Sequence, residues 1–295
     1  DRMMQTSRSK AWKTALRLIL ALLVTLIVSF PTYWMVTLAF KPPAEWSSAG
    51  GKIYWVPENP TLENFERVLT TYRGQFFRAA AESALPSIRS SIVTSIAGTL
   101  FALLIGTLAA YGLSRFTFRL GFVKNSDITF FFISQRIMPP IVLAIPFFLM
   151  LQFLGLLDTI TGLILVYVAL LLPIATWVMV DFFNNVPKEV DEMAMIDGCN
   201  PIGAFVRVIL PNSLPGIAVG GLFCIIFGWN DFFFAFTLTF TKTQLLPVAV
   251  VALNSSVTPW WSLSASALVS VAPLVIIAFF VERFLSSGNM AGAIR

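Results

Sequence analysis

Long apolar runs alternate with short polar connections along this chain. Six runs reach the roughly 20 helical residues needed to cross about 30 Å of hydrocarbon. They lie near Leu16–Phe40, Ile88–Leu113, Ile128–Phe153, Gly162–Phe183, Leu214–Phe240 and Leu263–Phe284. The pattern predicts an all-α, polytopic membrane protein with six transmembrane helices in a single domain, residues 1–295. The first run is too long for a signal peptide and no small-residue cleavage site follows it, so it reads as a permanent span. Pro139-Pro140, Pro146, Pro173 and Pro273 interrupt runs. Each proline removes a helix hydrogen bond and favours a kink, which neighbouring helices must repair.

One polar connection is more patterned than the others. Between the fourth and fifth runs lies EMAMIDGCNPIGAFVRVILPNSLPG, Glu192 to Gly216. Asp197-Gly198 is a turn signal. Before it, Val190, Met193, Ala194 and Ile196 suit one apolar helix face. After it, Ile202, Phe205, Val206 and Ile209 recur at helical spacing. The segment reads as helix–turn–helix outside the bilayer, with Glu192 favoured by the dipole of the first helix.

Lys and Arg near the ends of the runs set the orientation. Arg2, Arg8, Lys10, Lys13, Arg17, Arg115, Arg119, Lys124, Lys188, Arg207, Arg283 and Arg295 fall on one side. The other side holds Lys41, Lys52, Arg67, Arg73, Arg78 and Lys242, mostly in one long loop that also carries Glu45, Glu58, Glu63, Glu66 and Glu82. This places both terminal tails, 1–15 and 285–295, and the connection 184–213 in the cytoplasm, with the loop 41–87 outside. In that loop Thr61 is the expected N-cap of a short helix, with Asn64 at its third position.

Composition agrees with the pattern. The chain is 57% hydrophobic and 12% charged, against about 25% charged in soluble domains. The net charge of +5 clusters beside apolar runs, which points to membrane orientation and not to nucleic acid. Histidine is absent, which removes His-based catalysis and most transition-metal sites. Neither a catalytic nor a metal-ligating constellation stands out. Cys199 and Cys224 fall in a loop and an apolar run, a poor setting for a structural disulfide. There is no P-loop, so no ATP cofactor is expected on this chain.

Polar groups inside apolar runs are costly and therefore mark candidate sites. Asn230 and Asp231 lie inside the fifth run, beside Trp229 and Phe232–Phe234; Gln135 and Arg136 lie inside the third. Aromatic faces beside polar groups suit a sugar, but a buried Asp231–Arg136 ion pair is an equal alternative. Trp260 and Trp261 sit in the last external loop, where an interfacial belt is the default and contact with an external binding protein the sharper alternative.

The polar connection resembles the EAA loop of ABC-importer membrane subunits: Glu-Ala-Ala, three residues, Gly, nine residues, Ile, one residue, Leu-Pro. Glu192, Ala194, Gly198, Leu210 and Pro211 fall on that pattern, while Met193 and Val208 depart from it with apolar residues. NPTLENFERVL from Asn59, Pro146, GLLDTITGLIL from Gly155, Pro173 and Trp229-Asn230-Asp231 follow the order seen in maltose-type carbohydrate permeases, and Gly292-Ala293 partly matches their glycine-rich tail.

The resemblance implies a type I importer permease in a bacterial inner membrane, with a peripheral first span and a five-helix core. It implies that Glu192, Ala194, Asp197, Gly198, Leu210 and Pro211 form a coupling loop. It also implies a second permease subunit, two ATP-binding subunits holding ATP and Mg, and an extracytoplasmic substrate-binding protein that delivers a sugar or polyol. A secondary transporter and an importer of a non-carbohydrate solute are the alternatives.

Overall fold

The computed structural model describes residues 2–46, 53–70, 84–121, 123–252 and 260–286. The C-terminal tail with Gly292 and Ala293, and part of the 41–87 loop, lie outside the described residues. In chain order the helices begin with α1 (Arg2–Ala39), α2 (Pro43–Trp46), α3 (Glu63–Thr70) and α4 (Leu85–Arg115). A two-stranded turn follows, β1 (Arg119–Leu120) antiparallel to β2 (Val123–Lys124). Then come α5 (Asn125–Ser134), α6 (Pro140–Phe153), α7 (Ile160–Asn185), α8 (Glu189–Ile196) and α9 (Pro201–Ala204). A π-helical turn, Phe205–Ile209, leads to α10 (Leu210–Asn212), α11 (Leu214–Trp229), α12 (Phe233–Leu238), α13 (Leu246–Ala252) and α14 (Trp260–Ser286).

Among the described residues four helical segments are long and apolar enough to cross a membrane alone: Trp12–Ala39, Leu85–Arg115, Ile160–Asn185 and Trp260–Ser286. The other two expected spans are broken. The third divides into α5 and α6 because Pro139-Pro140 supplies no backbone N–H and bars the preceding residue from helical geometry. The fifth stops at Trp229 and restarts at Phe233. There the Asp231 carboxylate takes the N–H groups of Phe234 (3.5 Å) and Ala235 (3.1 Å), starting a new helix where the apolar run alone predicts continuity.

The centre of the molecule is α4 packed along α7, with α11 against both. Gly98, Ala102, Gly106 and Ala110 on α4 are buried and recur every four residues, so the two backbones approach closely. A Cβ at Gly106 would sit 2.8 Å from Ala175 Cβ and 3.0 Å from the Thr176 nitrogen. In contrast, none of the apolar stretch of α1 is buried within the chain, and α1 leans on α14. This is the peripheral first span that the resemblance implies.

The NPTLENF segment folds back onto the end of α1. Asn64 is fully buried and donates to the carbonyls of Ala39 and Lys41, both at 2.8 Å, satisfying the open C-terminus of that helix. Glu45 accepts the N–H groups of Glu58 (3.1 Å) and Asn59 (2.8 Å). Lys41 donates to the Tyr54 carbonyl and lies 4.3 Å over the Trp34 ring. The Thr61 hydroxyl accepts the Glu63 N–H at 3.1 Å, but α3 begins at Glu63, so Thr61 lies one residue before the cap position and Asn64 is the second helical residue.

A second tie joins the α6–α7 turn to the chain after α12. Asp158 holds a left-handed φ of 58°. Its carboxylate accepts the backbone N–H groups of Phe240 (2.9 Å), Thr241 (3.0 Å), Lys242 (2.9 Å) and Thr243 (3.1 Å). Partial burial opposes ionisation, but the four backbone donors outweigh it and hold the carboxyl at about 2. Because the folded value lies below the unfolded one, the tie is fully present above about pH 4 and is lost as pH falls toward 2. Asp158→Ala is expected to destabilise the chain by about 2 kcal/mol, since hydrogen bonds to a charged group are lost. Thermal unfolding of the purified complex at neutral pH and near pH 3 checks this: the difference from the unmodified chain should shrink in acid.

Candidate functional site

The EAA-like segment lies across one end of the bundle. The axis of Pro201–Asn212 meets that of α11 at 72°. The first helix, α8, ends where Cys199 N–H bonds the Ala194 carbonyl (3.1 Å) and Gly198 adopts a φ of 90°. Asn200 then caps α9 by accepting Gly203 N–H at 2.7 Å. The expected helix–turn–helix is therefore present, and Gly198 occupies a conformation that favours glycine.

The apolar faces divide differently from the periodicity alone. Phe205 and Ile209 are buried against α4 and α7 with Met179, Val180 and Phe183, Val190 packs on that cluster, and Ala194 is also buried. Met193, Ile196, Ile202 and Val206 point outward, with Ile196 84% and Ile202 74% exposed. Residues expected to share one face thus form two: an inner face pinned to the bundle and an outer apolar face rimmed by Glu192, Asp197 and Gly198, all exposed. Pro211 is exposed and Leu210 half-buried at the joint with α11.

Beneath α8 lies a buried ionic cluster. Arg115, at the end of α4, donates its Nε to Asp191 Oδ2 at 2.8 Å. Its two terminal nitrogens donate to the carbonyls of Phe183 (2.9 Å) and Val186 (3.0 Å). Tyr111, one turn earlier, donates its hydroxyl to Asp191 Oδ1 at 2.7 Å. Side-chain exposure is only 6% for Arg115 and 9% for Asp191. The Lys/Arg pattern marks Arg115 only as a charge at a span end, and nothing in the periodicity marks Asp191. The available signal was a tyrosine and an arginine four apart at a helix end, one face of the same helix.

The break between α5 and α6 opens a cavity of about 240 Å³ lined by Gln135, Arg136, Met138, Phe147, Pro173 and Phe234 among others. Arg136 also borders a nearly apolar cavity of about 340 Å³ between α5, α7 and α11, where its guanidinium lies 4.5 Å over the Phe227 ring. Gln135 and Arg136 are brought together; Asp231 does not join them in an ion pair. Its Oδ2 accepts the Tyr167 hydroxyl at 2.9 Å, and its remaining contacts are the α12 backbone donors. Asn230 is exposed and donates to the Ile226 carbonyl. Trp229 is buried, its indole donating to the Ser270 carbonyl at 2.8 Å, which locks α11 to α14. Trp260 and Trp261 begin α14; Trp260 is exposed and Trp261 half-buried.

Comparison with known proteins agrees with this geometry. The chain is 31% identical over 98% of its length, and 99% of the relative's, to the trehalose/maltose transport system permease protein MalG of Thermococcus litoralis. It is 32% identical to the trehalose transport system permease protein SugB of Mycobacterium tuberculosis, covering 93% of this chain and 96% of that one. The sulfoquinovosyl glycerol transport system permease protein SmoH of Agrobacterium fabrum is 29% identical over 95% of this chain and 93% of its own. A bacterial ABC transporter involved in import of the acidic polysaccharide alginate shares the fold, with a TM-score of 0.73, 21% identity, and coverage of 95% of this chain and 98% of that one. Residues 102–288 match the binding-protein-dependent transport system inner membrane component family. The chain belongs to that family: it is a multi-pass inner-membrane permease subunit of an ABC importer, a transport component and not itself an enzyme.

Proposed function

We propose that this subunit imports a sugar or polyol handed over by an extracytoplasmic binding protein. The observation that carries the reading is the near full-length similarity to permeases named for trehalose, maltose and sulfoquinovosyl glycerol. A second permease subunit completes the pathway, and two ATP-binding subunits hold ATP and Mg. Both termini and the α8–α10 segment face those ATPases in the cytoplasm. The outer face of that segment, Met193, Ile196, Ile202 and Val206 with Glu192 at its edge, docks into an ATPase cleft. Glu192 supplies a charge-assisted contact there, Gly198 the close approach, buried Ala194 the room for packing, and Leu210 with exposed Pro211 the joint to α11.

Gln135 and Arg136 line the solute path at the α5–α6 break, where Phe147 and Phe234, packed edge to face at 5.9 Å, make part of the wall aromatic. Exposed Asn230, just past the end of α11, is a further polar group assigned to the path. Asp231 supports the path indirectly by holding Tyr167 and starting α12, and Trp229 by holding α14. Trp260 and Trp261 sit where a binding protein would touch. A secondary transporter is disfavoured by the near full-length similarity to binding-protein-dependent permeases.

The test is ATP-driven uptake by the complex purified through this chain and reconstituted with its binding protein. A panel of trehalose, maltose, glucose, sorbitol, glycerol and a hexuronate should contain a transported solute. Transport of an amino acid or inorganic ion with no response to any sugar or polyol would overturn the reading.

A further inference from the structure

We infer that Arg115, paired with Asp191, which Tyr111 in turn holds, is the joint that transmits movement between the coupling segment and the solute cavity. The inference rests on the docking of α8 proposed above. The covalent link between α7 and α8 is only Val186–Lys188, and Val186 has left the helix, with φ −86° and ψ 122°. Pro187 fixes its own φ and restricts Val186, so only a few torsions of the link are left to bend, and those set the α7–α8 angle unless something spans them. One guanidinium does so. From α4 it holds Phe183 in the last turn of α7, Val186 in the link and Asp191 in α8, all within 3.0 Å.

The cluster is a poor choice if stability were its only role. A buried ion pair is generally matched or exceeded in stability by well-packed apolar residues, and the surrounding cluster of Phe183, Phe205 and Ile209 is already apolar. What a planar fork with fixed donors supplies is direction. Its three acceptors lie on three different segments, so the angle between α8 and the α4–α7 pair is fixed. The pair is braced on both sides of Pro173, where Gly98 meets Tyr167 and Gly106 meets Ala175. Its far half carries Ala169, Leu170 and Pro173 into the wall of the cavity beside Arg136. A push on α8 is thereby delivered to the cavity wall and not absorbed at Pro187. The same three bonds lie on the route by which a binding protein at the opposite end would reach the ATPase. Arg115, Asp191 and Tyr111 are positioning residues, remote from solute and nucleotide.

The experiment uses the whole complex in phosphatidylethanolamine/phosphatidylglycerol vesicles and measures ATP hydrolysis with and without the purified binding protein. Arg115→Gln and Asp191→Asn should keep unstimulated hydrolysis per assembled complex within about twofold, while stimulation by the binding protein falls at least about fivefold, the lower range of typical coupling factors. Tyr111→Phe, which removes one bond, should lose less. If Arg115→Gln does not assemble, Arg115→Lys, which keeps the charge without the fork, gives the same reading. An unchanged stimulation ratio overturns the inference. So does a parallel fall of both rates with the amount of assembled complex, the behaviour of a merely structural cluster. The docking reading fails separately: Met193→Cys, in a chain with Cys199 and Cys224 replaced by Ser, would then give no cross-link to an ATP-binding subunit. A cross-link with unchanged stimulation sinks the joint alone.

Discussion

Gly198→Asp is expected to leave the subunit folded and inserted while abolishing ATP-driven uptake. A Cβ at Gly198 meets nothing within 4 Å inside this chain, so the substitution adds no internal clash. The residue has a φ of 90°, which a side-chain-bearing residue adopts only with strain. That strain is confined to an exposed turn and costs about 1–3 kcal/mol, against an effect on docking that is far larger. The new carboxylate stands beside Asp197 and at the rim of the apolar patch formed by Met193, Ile196 and Ile202. Closing a protein surface over it would bury an unpaired charge, which costs several kcal/mol. Uptake should therefore fall by more than about a hundredfold, since each 1.4 kcal/mol is a factor of ten. Thermal unfolding of the isolated subunit should shift by only a few degrees. Pull-down of the ATP-binding subunit and uptake in vesicles read the two effects apart. Wild-type uptake in Gly198→Asp would remove the turn from the docking surface.

The sequence was most readable where one residue period governs burial. The runs that became α1, α4, α7 and α14 are long and nearly uncharged, and hydrophobic length alone identifies them. The helix–turn–helix was readable because Gly198 and Asn200 act on their own neighbours. The breaks at Pro139 and Asp231 were only half readable: proline announces a kink, but whether the chain bends or stops depends on what repairs the freed groups. Asp231 is the clearer case. Its charge inside an apolar run called for a partner, and Arg136 was the visible cation. The partner turned out to be a Tyr167 hydroxyl 64 positions away and the N–H groups immediately downstream. Arg115 with Asp191, 76 positions apart, and Asp158 with residues 240–243 were invisible for the same reason. Long-range hydrogen bonds leave no periodic trace. Helix faces turned to lipid and to partner subunits also carry the same apolar residues as a core, so periodicity did not separate the inner Phe205 and Ile209 from the outer Ile202 and Val206.

Two glycines of α4 should respond to the same substitution with opposite signs. Gly106→Leu is expected to prevent stable packing of α4 on α7. Even the first added carbon would lie 2.8 Å from Ala175 Cβ and 3.0 Å from the Thr176 backbone nitrogen. Backbone cannot rotate aside as a flexible side chain can, so the helices must separate. Separation would forfeit the contacts of Gly98 with Tyr167 and of Ala102 and Ala110 with the same groove. Overpacking typically costs about 1–3 kcal/mol, and leucine at a backbone contact belongs at or beyond the upper end. Gly112, six residues later on the same helix, is different. A Cβ there meets only the edge of the Phe118 ring at 3.8 Å, an ordinary contact. Gly112→Ala should therefore stabilise the helix by about 0.5–1 kcal/mol through the entropy that glycine loses on folding. Gly106→Ala should destabilise by more than that amount. Thermal unfolding of the detergent-solubilised subunit, compared across the two alanine variants and Gly106→Leu, checks the ordering. If Gly106→Ala proved as stable as Gly112→Ala, the close α4–α7 approach would not be what holds the centre of this bundle. The bracing that carries movement from Arg115 to the cavity wall at Pro173 would then lose its structural basis.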